Sequence, residues 1–143
     1  MKASEICIGD WFKAIDYNSP FRITAIYDDV VQTQADYQSE IDGNWYSEAE
    51  IKDLVPINLT ESILVKNGFE KQGDLYQYHI NAGDGYTRID IIDLQDGVWS
   101  YDIDVYDKFA YAHKIHHDDD CFLKLHQLQH LLRLCGVEKE IEL

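Results

Sequence analysis

The sequence predicts an α+β fold in which a small N-terminal β-barrel, residues 1–55, precedes an α-β-meander-α lobe, residues 56–143, whose two helices pack on one face of an antiparallel sheet. Three observations carry this expectation. Five short apolar runs separated by turn residues precede Pro56, three longer alternating runs lie between Leu75 and Tyr106, and two segments repeat apolar residues at helical spacing.

In the N-terminal part, Ile6 to Phe12 reads as an apolar segment, a Gly9-Asp10 turn element and the first strand. Arg22 to Tyr27 sets Ile23, Ala25 and Tyr27 on one face, after a turn expected around Asn18-Ser19-Pro20. Val30 to Gln34 gives a third strand. Asp42-Gly43-Asn44 makes a hairpin-type turn before Trp45-Tyr46, and Glu50 to Val55 completes the set. Strands this short predict a strongly curved barrel, and Ile8-Gly9-Asp10-Trp11 resembles the opening strand of SH3-like barrels. Pro56 then marks a boundary, because proline cannot donate to a central ladder.

Downstream, Thr60 caps a helix, Glu61 suits its positive end, and Asn67-Gly68 supplies a left-handed stop. Ile63, Leu64 and Phe69 point toward a core. Leu75–Ile80, Tyr86–Leu94 and Val98–Tyr106 form a β-meander through turns at Asn81–Gly85 and Gln95–Gly97. In its third strand Tyr101, Ile103 and Val105 alternate with Asp102 and Asp104, so one face is expected in the core and the other in solvent. A fourth strand is expected over Phe109–Ile115, and a solvated loop over His116 to Asp120. The last helix runs from about Phe122 to Cys135, with Cys121, Leu125, Leu128, Leu132 and Cys135 on its apolar stripe and His126, Gln129, His130 and Arg133 opposite; Gly136 ends it. The tail Val137–Leu143 either adds an edge strand or frays.

Composition narrows the function. The 27 acids against 12 bases leave a net charge of −15 over 143 residues, a field that repels phosphate and disfavours direct nucleic-acid binding. Three cysteines, Cys7, Cys121 and Cys135, without any Cys-x-x-Cys, make neither a disulfide framework nor a zinc ribbon. No cationic leader precedes an apolar stretch near Met1, and no apolar run reaches the ~18 residues of a membrane helix, so a cytoplasmic setting away from membranes is expected.

Among chemistry-bearing residues, His126 and His130 have the i, i+4 spacing that lets two imidazoles share a zinc ion. The residue after the first is Gln127, which cannot act as the general base of a zinc protease. A simpler metal site would need a third ligand from His113, His116, His117 or Asp118-Asp119-Asp120, and Cys121 beside His116 and His117 is a thiol–imidazole candidate. Polar-helix, solvated-loop and core roles account for these residues, so no catalytic, cofactor-binding or metal residue is assigned. Nucleophile-elbow, phosphate-loop and dinucleotide motifs do not occur.

The order Pro56-Ile57-x-Leu59-Thr60-Glu61-x-Ile63-Leu64-x-x-Asn67-Gly68-Phe69, followed by Leu125-His126-Gln127-Leu128-Gln129-His130 and preceded by the Ile-Gly-Asp-Trp start, resembles a set of small uncharacterised proteins of gut Bacteroides-type bacteria and their phages and mobile elements. The resemblance implies a phage or mobile-element origin and a cytoplasmic setting, and it carries over no activity, cofactor or site residue. The function expected is a non-enzymatic protein-interaction module, with Trp45 and Tyr46 as contact candidates. The alternatives are an acidic nucleic-acid-mimic decoy, motivated by charge and by Asp102 and Asp104, and a metal- or thiol-dependent enzyme using His126, His130, His117 or Cys121.

Overall fold

A computed structural model describes residues 3–95, 98–107, 109, 112–121 and 123–143, with the backbone alone at 3, 82 and 112–121. The chain divides into two compact units, Met1–Ile57 with Lys124–Gln129 and Asn58–Leu123 with His130–Leu143.

The first unit contains β1 (Trp11–Ala14), β2 (Tyr17–Tyr27), β3 (Val30–Gln38), β4 (Trp45–Glu50) and β5 (Leu54–Pro56), in the antiparallel order β4-β3-β2-β1-β5. Closing a barrel requires the outer strands to pair. Here β4 and β5 stay at opposite edges, so the sheet is open among the described residues. The expected SH3-like barrel is therefore not formed. Phe12, Ile23 and Val31 are the most deeply buried members of this unit's core, with Phe21, Tyr37, Ala49, Ile51 and Leu54 around them. Burying a side chain of this size contributes roughly 1.5–3 kcal/mol.

The turn expected at Asn18-Ser19-Pro20 lies instead within β2, and the chain reverses at Ile15-Asp16. Proline is tolerated there because the β1–β2 register jumps from Phe12↔Phe21 to Ala14↔Tyr17. Such a bulge makes no use of an N–H at the extra residues.

Helix α2 (Leu125–Leu134) has residues in both units. In the first, Leu125 and Leu128 are fully buried, and two residues expected on its polar arc, His126 and Gln129, are buried as well. The His126 ring packs 4.8 Å from that of Phe12. Gln129 donates from Nε2 to the Gly9 carbonyl at 3.0 Å and accepts at Oε1 from the Trp11 N–H at 3.1 Å. Its carboxamide thus reads alternate residues of an extended segment, as a neighbouring strand would.

The second unit holds α1 (Glu61–Lys66), β6 (Glu70–Gln72), β7 (Leu75–Ala82), β8 (Gly85–Asp93), β9 (Trp99–Tyr106) and β10 (Ala112–Cys121), in the antiparallel order β10-β9-β8-β7-β6. Over both units the described residues hold ten strands against two short α-helices, so the expected α+β class gives way to a mostly β fold of two antiparallel sheets. The meander forms where alternation and turn residues place it. At its first turn a Cβ on Gly85 would collide with the Tyr106 carbonyl, which explains the glycine. Asp96 and Gly97 of the second expected turn, and Ala110 and Tyr111 of the fourth expected strand, lie outside the described residues. The loop expected over His116 to Asp120 is strand backbone in β10, because β9 offers a ladder along most of this length and pairing overrides the poor strand preference of aspartate. Cys121 ends that strand and does not open the helix.

Thr60 caps α1 by accepting from the Ile63 N–H at 3.3 Å, and Gly68, at φ +90°, ends it. Asn67, one residue earlier, is nearly fully buried. Its Nδ2 donates to the carbonyls of Ile63 and Glu142, each at 2.8 Å, and its Oδ1 accepts from the Glu142 N–H at 2.9 Å. The tail therefore neither frays nor joins a sheet: the amide clamp holds it, with Ile141 buried beside the clamped residue.

Replacing Asn67 by Ala removes three hydrogen bonds, one buried and two partly buried, worth about 1 kcal/mol each, so chemical denaturation should show a loss of roughly 2–3 kcal/mol. Amide hydrogen exchange at Glu142 should accelerate well beyond the change at β8. Equal acceleration at both positions would mean that the clamp is not local.

Candidate functional site

A concave pocket of about 420 Å³ opens on the first unit, within the size range of ligand sites. Its lining comes from separate stretches: Ile15 and Asp16 of the β1–β2 turn, Val30 and Tyr37 of β3, Ile41 of the β3–β4 loop, Tyr46 to Glu50 of β4 apart from Ser47, and Asp53. Ile15 and Ile41, both lining residues, stand 71% and 79% exposed.

Cross-strand pairing builds the floor. Tyr37 and Tyr46 are register partners on β3 and β4, with ring centroids 5.9 Å apart, and Tyr37 stacks at 5.6 Å and 11° on Phe21. Four residues of β3 bulge against Ser47 before that pair, and Thr33 stabilises the bulge by donating to the carbonyls of Ala35 and Ser47. The Tyr37 hydroxyl donates to the Glu48 carbonyl at 3.3 Å.

The β3–β4 loop is held by short polar side chains. The buried Ser39 hydroxyl accepts from the N–H groups of Ile41 and Asp42, and Gly43 turns the chain at φ +73°. Asp42 accepts from the Tyr46 hydroxyl at 2.6 Å and from the backbone and side-chain N–H groups of Asn44 at 3.0 Å. The Tyr46 bond, followed by the Asn44 backbone bond, holds the Asp42 carboxyl down at about 2. The same bond pushes the Tyr46 phenol up. Ile41 is therefore projected from a fixed loop.

The walls are acidic. Asp16, Glu48, Glu50 and Asp53 line the pocket, and no Lys, Arg or His does so among the described residues. Lys52, which is not a lining residue, pairs with the lining Glu50 at 2.6 Å, and that hydrogen bond, then the charges of Glu50 and Asp53, raise its ammonium. Burial first, and then the negative charge of Asp16, Asp53 and Asp42, raises the Tyr37 phenol to about 12. A tyrosine at the base of the pocket thus registers the field of the acids around it.

A second charged group lies on the second unit's sheet. Arg88 bridges Asp90 at 2.9 Å and Asp104 at 3.3 Å, lies 5.0 Å from the Tyr106 ring centre, and shares Asp90 with the Gln77 amide at 2.9 Å. Asp104, expected on a solvent face, is buried.

The chain matches no family model, no curated protein and no solved structure.

Of the candidates named from sequence, Trp45 is exposed and Tyr46 lines the pocket. His126 is a core residue of the first unit, and His130 is half-buried in the second. His113, His116, His117, Asp118, Asp119, Asp120 and Cys121 lie on β10, where the described part is the backbone. Cys7 is exposed, and burial raises the thiol of half-buried Cys135. No helix among the described residues is long and apolar enough to cross a membrane. Sequence reasoning missed Ile15, Asp16, Tyr37, Ile41, Glu48, Ala49 and Asp53; the local signal is an apolar residue beside an acid in a turn, and it is present only at Ile15-Asp16 and Ile41-Asp42.

The Tyr37 shift has a sign that can be measured. Below pH 10 the phenol is neutral in both folded and unfolded chains; between 10 and about 12 only the unfolded chain ionises, so stability falls as pH rises through that window. The loss should approach about 2–3 kcal/mol. Denaturation of the Tyr37→Phe variant should show a smaller fall over the same window, and an unchanged fall would locate the alkaline transition elsewhere.

Proposed function

We propose that the chain is a non-enzymatic protein-interaction module working in the cytoplasm, and that the pocketed face of its first sheet is the contact surface. The observation that carries this reading is the exposure of Ile15 and Ile41 at the mouth of a formed, aromatic-floored pocket, with Trp45 67% exposed next to the lining residue Tyr46. Exposed apolar and aromatic side chains around a concavity are what the desolvated centre of an interface requires. The acids of the pocket have neither a nucleophile and base in hydrogen-bond reach of one another nor an electrophilic partner among its lining residues, which favours recognition over catalysis. The resemblance to small proteins of gut bacteria, their phages and mobile elements supports an origin in such an element. The net charge of −15 supports a partner other than nucleic acid.

Photo-crosslinking tests the surface directly. A benzophenone amino acid placed at position 41 or 45 should give the same discrete adduct in cells, and one placed at exposed Asp74 should not. The partner so identified, once purified, should bind the Trp45→Ala variant at least about tenfold more weakly than the parent. Adducts indistinguishable from those at position 74, or full affinity of the variant, would overturn the reading.

A further inference from the structure

We propose that the pocket receives an arginine side chain from a basic, aliphatic-bearing segment of a partner protein. This rests on the interaction reading above and names the chemistry of the partner. The lining combines three properties that one occupant satisfies together. Ile15 and Ile41 are aliphatic and exposed at the mouth, the Tyr37 and Tyr46 rings form the floor, and carboxylates stand on the wall from three directions in the chain: Asp16 from a turn, Glu48 from β4, and Asp53. A purely apolar insert would be placed against these acids and would desolvate them without compensation. An acidic insert would be repelled.

Among cations, the guanidinium suits the site best. It is planar, stays charged, lies flat on aromatic faces, and forks two carboxylates at once, while its methylene stem covers aliphatic surface. Lysine offers a compact, strongly hydrated charge that forgoes the stacking and the fork. The chain already uses this arrangement internally: Arg88 lies 5.0 Å from the Tyr106 ring centre and bridges Asp90 and Asp104. The pocket is lined by residues of the same types, tyrosines and carboxylates, and by no cation among the described residues. A net charge of −15 further speeds encounter with a basic segment.

The test uses the full chain and an acetylated, amidated nonapeptide in which arginine alternates with leucine and valine, together with versions carrying lysine, citrulline or glutamate at every arginine position. Titration is followed by calorimetry and by the methyl NMR signals of Ile15 and Ile41. The arginine peptide should shift both methyl signals and bind more tightly than the lysine peptide. The citrulline peptide, which keeps the shape and loses the charge, should bind at least about tenfold more weakly, and the glutamate peptide should leave the signals unmoved. Asp16→Asn combined with Asp53→Asn should weaken the arginine peptide about tenfold. Ile41→Lys, a change at an exposed position outside the core, should abolish its binding by placing a cation of the chain's own at the mouth.

Equal affinity for the arginine and citrulline peptides at these methyls would overturn the arginine assignment and leave the interaction surface standing. Failure of every peptide to move the two signals would also overturn the assignment, and the crosslinks from positions 41 and 45 then decide separately whether the surface is an interface at all. Spermidine that shifts the same methyls as strongly as the arginine peptide at equal concentration would replace the protein segment by a free polyamine.

Discussion

A primary amide offers a donor and an acceptor in one plane, as a peptide group does, and the first unit depends on one such side chain. Gln129 takes the Gly9 carbonyl and the Trp11 N–H, so the opening of β1 has hydrogen bonds met ahead of Phe12, where its pairing with β5 begins. Everything after it follows in register. Phe12 enters the core one residue on, Ala14 closes the strand, and the reversal at Ile15-Asp16 sets two residues of the pocket. In the second unit Asn67 makes the same substitution for the tail, pairing with both backbone groups of Glu142. Short sheets with open edges leave many backbone groups to satisfy, and side-chain amides placed on helices supply some of what further strands would.

Acidity is distributed unevenly, and the distribution separates two uses of carboxylates. On the second sheet Asp90 and Asp104 are buried around Arg88, where the ion pairs lower the cost of their burial. Asp42, fully exposed, is spent on shaping a loop. At the pocket Asp16, Glu48 and Asp53 line a concavity, and after burial the charges of Asp16 and Asp53 are registered on the Tyr37 phenol. Net charge alone does not distinguish these cases. The partners of each carboxylate do.

How much of this was legible in the sequence depends on whether the determining contacts are local. Helix α1 was legible to within a residue, since Thr60 and Gly68 both act on their own neighbours. The meander was legible for the same reason, with β7 to β9 fixed by alternation and turn chemistry. Barrel closure was not, because pairing of the outer strands is a long-range property that short alternating runs do not encode. Pro20 was misread as a turn because a bulge, invisible to local pattern, excuses its missing N–H. His126 and Gln129 were misread as solvent-facing because a polar arc was equated with an exposed one, whereas both are buried in the first unit, one on an aromatic ring and one on backbone. The pocket could not be read at all: its walls come from stretches of chain separated by whole strands, and only Trp45 and Tyr46 beside it announced themselves by residue type.

The clamp on the tail also bears on how this molecule ages. Asn67 precedes glycine, the pairing most prone to spontaneous deamidation, in which the backbone nitrogen of the following residue attacks the side-chain carbonyl carbon to close a succinimide with loss of ammonia. Here the Gly68 N–H is engaged with the Val65 carbonyl at 3.1 Å, and the Asn67 carboxamide is held by bonds at both of its ends. The nucleophile and its target are thus each committed elsewhere for as long as the chain is folded. Ammonia release at this position records time spent unfolded, and water then opens the succinimide to an aspartate or isoaspartate carboxylate that can no longer donate to Ile63 and Glu142, so a molecule that has once lost the amide refolds with a weaker hold on its tail.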